Sequence, residues 1–286
     1  MRRQEMNGFE IYKKMDDDAQ AVHRSRLLTE ILLSLNEESR KLSQLCEITG
    51  STSQALIPKL RRLEADHLIE TKEREYFLTP AGKIVASGIA DSFVIFWAIN
   101  KFKHFWLRHY LEEIPSPLLK EIGCLHESEI LKDRGMKILN VYNNQLEMIK
   151  EADHIYGISS VVTEGYADSI SERVKEGIPV ELIVSLHVAE ELKRSPYVKK
   201  LATLKGYKNF KLMLMNEDIK VGLIVTDKRL SLNLYKKEGI EYDISTGLFS
   251  SDSKAIEWGE RLFWYCKGKT DFTKFQWRKT CQRIPG

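Results

Sequence analysis

The segment that most constrains the fold is residues 40–82, RKLSQLCEITGSTSQALIPKLRRLEADHLIETKEREYFLTPAG, in which two short helical patterns flank a glycine. Leu42, Leu45 and Ile48 recur at helical spacing and predict one buried stripe on a first helix. Gly50 then predicts a tight turn into a second helix. The predicted buried positions of that second helix are Leu56, Leu60 and Leu63. The segment therefore predicts a helix-turn-helix.

A short hairpin follows the two helices. Leu68 and Ile69 begin a strand, residues 71–74 form a charged turn, and residues 76–78 make the returning strand. A helix predicted over residues 23–35 precedes the pair, and its inward-facing residues are Leu27, Leu28, Ile31, Leu32 and Leu35. Three helices and a hairpin in this order predict a winged helix-turn-helix domain.

Polar and basic side chains occupy the outer face of the second helix. Such a face suits a helix whose N-terminal half lies in a DNA major groove while its later arginines reach phosphates. Thr52 is also the predicted N-cap of this helix, and the basic residues of the hairpin suit the neighbouring backbone or minor groove. The predicted contacts with double-stranded DNA are Thr52, Ser53, Gln54, Ile57, Lys59, Arg61, Arg62, Lys72 and Arg74.

The charge of the chain is close to balanced, with 44 Lys and Arg against 41 Asp and Glu. Residues 1–80 hold 13 Lys and Arg against 14 Asp and Glu, so the DNA prediction depends on where charge lies and not on its amount. A domain with so little net charge should bind DNA modestly and gain from homodimerisation, which doubles the phosphate contacts. The alternative is a protein-interaction module of the transcription machinery without sequence-specific DNA contact.

Several classes of protein are not indicated. The cysteines are far apart and include no C-x-x-C pair, which predicts a reducing cytoplasm and neither disulfides nor a zinc ribbon. The scattered histidines have no metal-site spacing, no phosphate-binding glycine motif is found, and we expect no cofactor. No apolar run reaches the roughly 18 residues that cross a bilayer, and the N-terminus lacks a signal-like apolar region. These features predict a cytoplasmic protein with no membrane partner.

The pattern divides the chain into four regions. We predict a winged helix-turn-helix domain at 1–90, an aromatic helical linker or dimerisation region at 91–125, an α/β effector-sensing domain at 126–267, and a basic tail at 268–286. In the tail, aromatic residues interleave with basic ones, which fits either packing onto the sensing domain or extra contact with DNA or a partner.

The helical region after the hairpin is unusually aromatic. Its aromatic residues are Phe93, Phe96, Trp97, Phe102, Phe105, Trp106 and Tyr110. Two interpretations remain open: the rings pack against the second domain, or the helix pairs across a dimer two-fold and sets the half-site spacing on DNA.

Beyond the Pro115–Pro117 break the pattern changes to alternating strands and helices. Strands are predicted at 154–159, 180–186, 210–215, 220–226 and 230–235, and helices at 136–151, 164–176 and 253–267. This order predicts an α/β domain with at least one parallel crossover.

The chain resembles a family of archaeal two-domain transcriptional regulators with an ArsR-like winged helix and a C-terminal domain linked to regulators of methanogenesis and filament growth. The residues that carry the resemblance are FWLRHYLEEIPSPLLKEIGCL (105–125), DHIYGISS (153–160), EGIPVELIVS (176–185), LIVTDKRLSLNLY (223–235) and AIEWGERLFWYC (255–266). The resemblance implies transcription regulation in an archaeal cytoplasm and a sensory domain similar to the phospholipase-D-like fold.

The enzymes of that fold use a His-x-Lys-x4-Asp motif, in which the histidine attacks phosphorus. In this chain His187 is followed by Val188 and Ala189, so alanine lies where the motif requires lysine. We therefore predict no enzyme activity. We place the effector site at the carboxyl ends of strands and expect a small polar or anionic metabolite. The candidate effector residues are Tyr156, Ser159, Ser160, Tyr166, Arg173, Ser185, His187 and Arg229, although the serines could equally be helix caps and Arg173 a solvated side chain.

Overall fold

The computed structural model of the chain forms two compact units, residues 1–94 and 95–286. The residues that the structure describes are 7–15, 24–133, 135, 138–215 and 220–270. The basic tail predicted at 268–286 therefore lies outside the described residues from 271 onwards.

The first unit is mainly helical with a small antiparallel sheet. Its elements are α1 (Gly8–Lys14), α2 (Arg26–Glu37), β1 (Arg40–Lys41), α3 (Leu42–Thr49), α4 (Ser53–Ala65), β2 (Ile69–Lys72), β3 (Glu75–Leu78) and α5 (Pro80–Lys101), the last of which continues into the second unit. The strands pair in the order β1-β3-β2. The helix pair and the hairpin predicted for residues 40–82 are thus present. The additional strand β1 was not predicted, because two residues are too few to show a strand pattern.

The core of the first unit is formed by leucine and isoleucine side chains of α2, α3 and α4. Leu56, Leu60 and Leu63 are almost fully buried, as predicted for the inner face of the second helix. The prediction for Ile48 is wrong, since this side chain is 51% exposed and Thr49 takes the buried position. Thr49 can do so because its hydroxyl donates to the Leu45 carbonyl at 2.7 Å, which satisfies the buried polar group.

The turn of the hairpin is shorter than the sequence predicts. Thr71 and Lys72 belong to β2, so only Glu73 and Arg74 connect the strands. Both residues have positive φ, 51° and 66°, which matches the twist of the two strands. The missed boundary follows from the residues themselves, because the pair lacks the Asn or Gly that usually marks such a turn.

The second unit is a mixed sheet covered by helices. Its elements are α6 (Lys103–Arg108), α7 (Ser116–Lys120), a 3₁₀ turn (Ile122–Leu125), β4 (Glu129–Lys132), α8 (Asn140–Glu151), β5 (Ile155–Ser159), α9 (Glu164–Lys175), β6 (Val180–Ser185), α10 (Leu186–Leu192), α11 (Tyr197–Leu204), β7 (Phe210–Met215), β8 (Val221–Thr226), β9 (Leu230–Leu234), β10 (Thr246–Ser250) and α12 (Ser253–Gly268). The strand order is β4-β10-β9-β8-β5-β6-β7.

Strands β5, β6 and β7 run parallel, and the other pairs are antiparallel. The α9 crossover between β5 and β6 therefore confirms the predicted parallel unit. The sequence missed β4 and β10 at one side of the sheet. Strand β10, TGLFS, is buried along most of its length, so it shows no alternation of polar and apolar residues.

One face of this sheet is covered by α12 and by the aromatic segment after α5. The indole of Trp258 is fully buried and donates to the Leu118 carbonyl at 2.9 Å. Phe102, Phe105 and Trp106 lie in the same core, so these three rings pack inside the second unit. The other face of the sheet is covered by α8 to α11.

Three other aromatic residues of the segment lie on α5 and are exposed, whereas Tyr110 follows α6 and is half-buried. The exposed fractions of Phe93, Phe96 and Trp97 are 52%, 65% and 63%. By length and composition alone, α5 is long and apolar enough to cross a membrane. This criterion is weak evidence, because core helices also satisfy it, and Ala86 and Ile89 of α5 are buried in the first unit's core.

Two glycines of α5 offer a matched test of the contact between this helix and the hairpin. A methyl group at Gly82 would lie 1.9 Å from the Leu68 carbonyl oxygen, whereas one at Gly88 would meet nothing within 4 Å. We expect Gly82→Ala to destabilise the fold by about 1–3 kcal/mol through overpacking. Gly88→Ala should instead be neutral or stabilise by up to about 1 kcal/mol. Urea-unfolding midpoints followed by circular dichroism compare the two, and equal midpoints would contradict the close approach.

Candidate functional site

The start of α4 is held by its N-cap. Gly50 ends α3 in the left-handed region, with φ of 62°, and the chain then enters α4 at Thr52. The Thr52 hydroxyl accepts a hydrogen bond from the Ala55 amide at 3.3 Å. The cap fixes the direction of the first turn of α4, where Ser53 and Gln54 are exposed.

The other predicted DNA contacts differ in how they are presented. Arg61 is exposed on α4, whereas Ile57, Lys59 and Arg62 are half-buried. The long side chains of Lys59 and Arg62 can extend their charged ends into solvent while the stems pack on the helix. We name the exposed set Ser53, Gln54 and Arg61 the α4 outer face.

The hairpin contributes charge of both signs. Lys72 pairs with Glu70 at 2.7 Å between Nζ and Oε1, and Arg74 is exposed at the turn. The Thr71 hydroxyl donates to the Glu64 carboxylate, which ties β2 to α4. Acidic neighbours therefore partly offset the basic residues predicted to contact DNA.

A cavity of about 120 Å³ lies in the second unit, between the sheet and helices α8 to α11. Most of its lining is aliphatic, including Val184, Leu201, Leu212 and Ile224. A second pocket of about 290 Å³ adjoins the first, with which it shares Gln145, Val161, Tyr166 and Tyr242. We name the two spaces the inner cavity and the mouth.

Of the candidate effector residues, Ser159 and Tyr166 line the inner cavity. Ser185 is a helix cap, since its hydroxyl accepts from the Val188 amide at 3.3 Å. Ser160 is buried next to Ser159, and His187 is exposed at the start of α10.

Neither these three residues nor the last three candidates line the cavity. Tyr156 points to the opposite face of the sheet, where its ring stacks on Phe263 with centroids 4.8 Å apart. Arg173 pairs with Glu176 near the end of α9, and Arg229 pairs with Glu151 at 3.2 Å in the turn between β8 and β9. The alternation of side chains along β5 explains the first case, because Tyr156 and Ser159 lie an odd number of residues apart.

The mouth contains a hydrogen-bond network centred on a buried amide. Gln145 Nε2 donates to Ser231 Oγ at 2.9 Å and to Asn233 Oδ1 at 2.8 Å. The Tyr166 hydroxyl donates to Gln145 Oε1. Burial raises the pKa of Tyr166 far above its usual value, so the phenol stays protonated and can donate.

The network has room because of glycines on the same sheet face. A methyl group at Gly222 would lie 2.0 Å from the Tyr242 hydroxyl, and one at Gly157 would lie 2.6 Å from Leu182 Cδ2. Sequence reasoning missed Gln145, Asn233 and Tyr242. The sequence did contain one indication of this network, since Gln145 is a polar residue at an inward position of an amphipathic helix.

Metal-ligating groups do not assemble in this part of the protein. Within the described residues no cluster of three or more His, Cys, Asp or Glu side chains could hold a metal ion. The best-placed pair, His109 and Asp243, is buried and joined at 3.1 Å between Nε2 and Oδ2. Since His109 Nδ1 lies 2.7 Å from the Phe105 carbonyl oxygen, this pair is a structural tie between α6 and the sheet.

Known proteins resemble the chain in sequence. A curated relative, the methanogenesis regulatory protein FilR1 of Methanothrix harundinacea, is 25% identical over 244 residues, which is 84% of this chain and 54% of the relative. The chain thus spans about half the length of that relative.

Two solved structures resemble the fold only loosely. The archaeal chromatin protein TrmBL2, described as showing a novel mode of DNA binding, has a TM-score of 0.40 and 13% identity over 90% of this chain and 100% of its own. The dimethyltransferase RosA from Streptomyces davawensis has a TM-score of 0.23 and 13% identity over 73% of this chain and 65% of its own. Scores this low carry no argument about function.

Family models match both parts of the chain. The N-terminal domain of the methanogenesis regulatory protein FilR1 matches residues 16–94, and the middle domain of the same protein matches residues 138–269. Two separate parts of the chain are thus similar to two domains of one regulatory protein, in the order N-terminal domain and then middle domain.

Proposed function

We propose that the chain is a DNA-binding transcription regulator of an archaeon, acting in the cytoplasm. The observation that carries the proposal is the α4 outer face. The capped first turn of α4 presents Ser53 and Gln54 to solvent, on the side opposite the buried leucines of the helix. The match to the FilR1 N-terminal domain supports the same function.

The first unit is, in this proposal, an ArsR-like winged helix. Support comes from the order α2, α3, α4 and hairpin, and from the three-stranded sheet that anchors the hairpin. In such domains the second helix of the pair enters the major groove by its N-terminal half. Gln54 would then read base edges, since an amide can bond adenine with two hydrogen bonds.

The basic residues have a different role in the proposal. Lys59, Arg61 and Arg62 follow the first turn of α4 and would contact phosphates, with Lys72 and Arg74 reaching the neighbouring backbone. Thr52 acts indirectly, because its hydroxyl already serves as the helix cap. The half-buried Ile57 would supply an apolar contact.

A second candidate is a protein-interaction module of the transcription machinery. It is favoured by the near-balanced charge of residues 1–80 and by the pairing of Lys72 with Glu70. The exposed rings of α5 also fit a protein partner. The DNA-binding experiment below separates the two functions.

The second unit is, in our proposal, a sensory domain with a phospholipase-D-like fold and no enzyme activity. A mixed sheet with three parallel strands beside four antiparallel ones supports the fold, and the cavity supports ligand sensing. Ala189 in place of the required lysine supports the lack of hydrolase activity. Ligand binding would regulate DNA binding only if the ligand had different affinities for two states of the protein.

The proposed regulator is a homodimer that pairs through α5. Phe93, Phe96 and Trp97 recur at helical spacing and are exposed, as are Ile84 and Ile99. Aromatic side chains bury roughly 150–250 Å² each when fully covered, so this face could supply on the order of half of the ~800 Å² per partner in a stable interface. A second copy offers the same apolar face, as a two-fold interface requires.

The DNA contacts can be tested by fluorescence anisotropy on the promoter DNA of the chain's own gene and on a scrambled control. Arg61→Ala should weaken binding to both DNAs and reduce the slope of log K against log salt by about 0.9, the value for one phosphate contact. Gln54→Ala should change base preference by about 1–3 kcal/mol with a smaller effect on the salt slope.

The matched control for Arg61→Ala is Lys83→Ala, which removes an exposed basic residue from α5 instead of α4. It should leave the affinity close to that of the unchanged protein. Equal, weak binding of the unchanged protein to both DNAs would contradict sequence-specific binding and favour the protein-interaction function.

The proposed dimer can be tested by light scattering after size exclusion. The unchanged chain should have twice its 33.2 kDa mass, and the double change Phe96→Glu with Trp97→Glu should give the single-chain mass, because two charges would be buried at the interface. Leu107→Glu, at a 61% exposed leucine of α6, is the control and should leave the dimer intact. A single-chain mass for the unchanged protein would contradict the dimer.

A further inference from the structure

The inner cavity and the mouth differ in chemistry. Aliphatic side chains from the sheet and from α11, such as Leu201, Leu212 and Ile224, line the inner cavity. Gln145, Tyr166 and Tyr242 lie where the two spaces meet, since they line both, and Asp133, Thr163 and Asn233 add polar groups to the mouth. Apolar cavities of this kind stay free of water and accept apolar molecules, as a cavity of roughly 150 Å³ accepts benzene.

The one cation among the described lining residues is already paired. Lys200 lines the inner cavity, and its ammonium group contacts the Asp168 carboxylate at 2.5 Å. Asp133 lines the mouth, where its carboxylate accepts from the Val141 amide at 3.1 Å. Among the described lining residues no cation is therefore left for an anionic ligand, and burying an unpaired anion is costly. This argues against the polar or anionic metabolite that the sequence predicted.

One hydroxyl at the mouth lacks a protein partner. The Tyr242 hydroxyl lies against Gly222, and no hydrogen bond joins it to any residue that the structure describes. Burial raises the pKa of Tyr242 far above its usual value, so the phenol is a neutral donor and acceptor. Gly222 leaves the space that this ring needs, because a side chain there would collide with it.

We propose that this site binds a neutral amphiphile, with up to about six carbon atoms of its aliphatic or aromatic body in the inner cavity and the rest, with one uncharged polar head, at the mouth. The head hydrogen-bonds to the Tyr242 hydroxyl and lies next to the Gln145 and Tyr166 pair. This ligand would be the effector of the proposed sensory domain, so its regulatory role rests on the proposed function. The binding itself does not require DNA.

The test uses calorimetric titration of the full chain with three probes of equal length: octanamide, octan-1-ol and octanoate at pH 8. We expect octanamide and octanol to bind, and octanoate to bind at least tenfold more weakly, because its carboxylate finds no free cation. Octanoate binding as tightly as octanamide, or no binding by any probe, would overturn the proposal.

A matched pair of variants and a third, cavity-filling variant locate the site. Tyr242→Phe removes only the hydroxyl and should weaken octanamide at least fivefold, whereas Tyr235→Phe, whose ring contacts Tyr242 but does not line the cavity, should not. Ala167→Leu fills part of the inner cavity and should reduce binding of both neutral probes, with circular dichroism confirming the fold. Unchanged octanamide binding in Tyr242→Phe would contradict the assigned head position.

The same probes separate this inference from the proposed function. If octanamide binds as expected but the chain does not recognise DNA, the ligand site stands and the transcription-regulator proposal fails. If the chain recognises DNA and none of the probes binds, the ligand proposal alone fails. A change in DNA affinity on adding octanamide would support both.

Discussion

The buried amide of Gln145 is the interaction on which the second unit depends most. It joins α8 to the sheet through Ser231 and Asn233, and Asn233 Nδ2 in turn donates to the carbonyls of Asp243 and Thr246 at 3.2 and 3.0 Å. One network therefore connects a helix, strand β9 and the loop that leads to β10. Moving α8 away from the sheet would break these hydrogen bonds and leave buried polar groups unsatisfied. The network therefore holds α8 at a fixed distance from the sheet. The cavity exists below this fixed helix.

The first unit depends on a different constraint, the close approach of α5 to the segment between α4 and β2. Glycine at position 82 allows the helix backbone to reach the Leu68 carbonyl. The Thr79 hydroxyl accepts from the Gly82 amide at 3.0 Å and donates to the His67 carbonyl at 2.7 Å. These contacts fix where the hairpin leaves the helices, and hence where its basic residues lie relative to α4.

Local patterns in the sequence were sufficient for most helices and for the parallel half of the sheet. Leu56, Leu60 and Leu63 are buried because their spacing alone defines a helix face, and Thr52 caps because its position before that face is unambiguous. Strands β1, β4 and β10 are too short or too buried to show a pattern, and their pairing depends on distant residues. Ile48 was assigned to the core because spacing alone favours an apolar residue there. Spacing does not reveal that the Thr49 hydroxyl can donate to a carbonyl of its own helix, which allows Thr49 to be buried instead.

The lining of the cavity could be predicted only in part. The cavity lies beside the carboxyl ends of β5 and β6, and Ser159 and Tyr166 line it. Tyr156 and Arg229 were misplaced because strand faces and turn positions depend on register, which the sequence leaves open. Gln145, Asn233 and Tyr242 come from three separate segments, and only the folded chain brings them together.

The hairpin turn has charged residues at two positions where glycine would cause less backbone strain. Glu73 and Arg74 both adopt the left-handed conformation, which costs a residue with a side chain roughly 1–2 kcal/mol more than it costs glycine. An Asn-Gly pair would make the same turn with less strain but would leave the tip without charge. The turn therefore gives up some local stability to keep an acid and a base side by side at the tip of the hairpin. A tip with both signs of charge can distinguish orientations of a charged partner that a tip with a single charge could not.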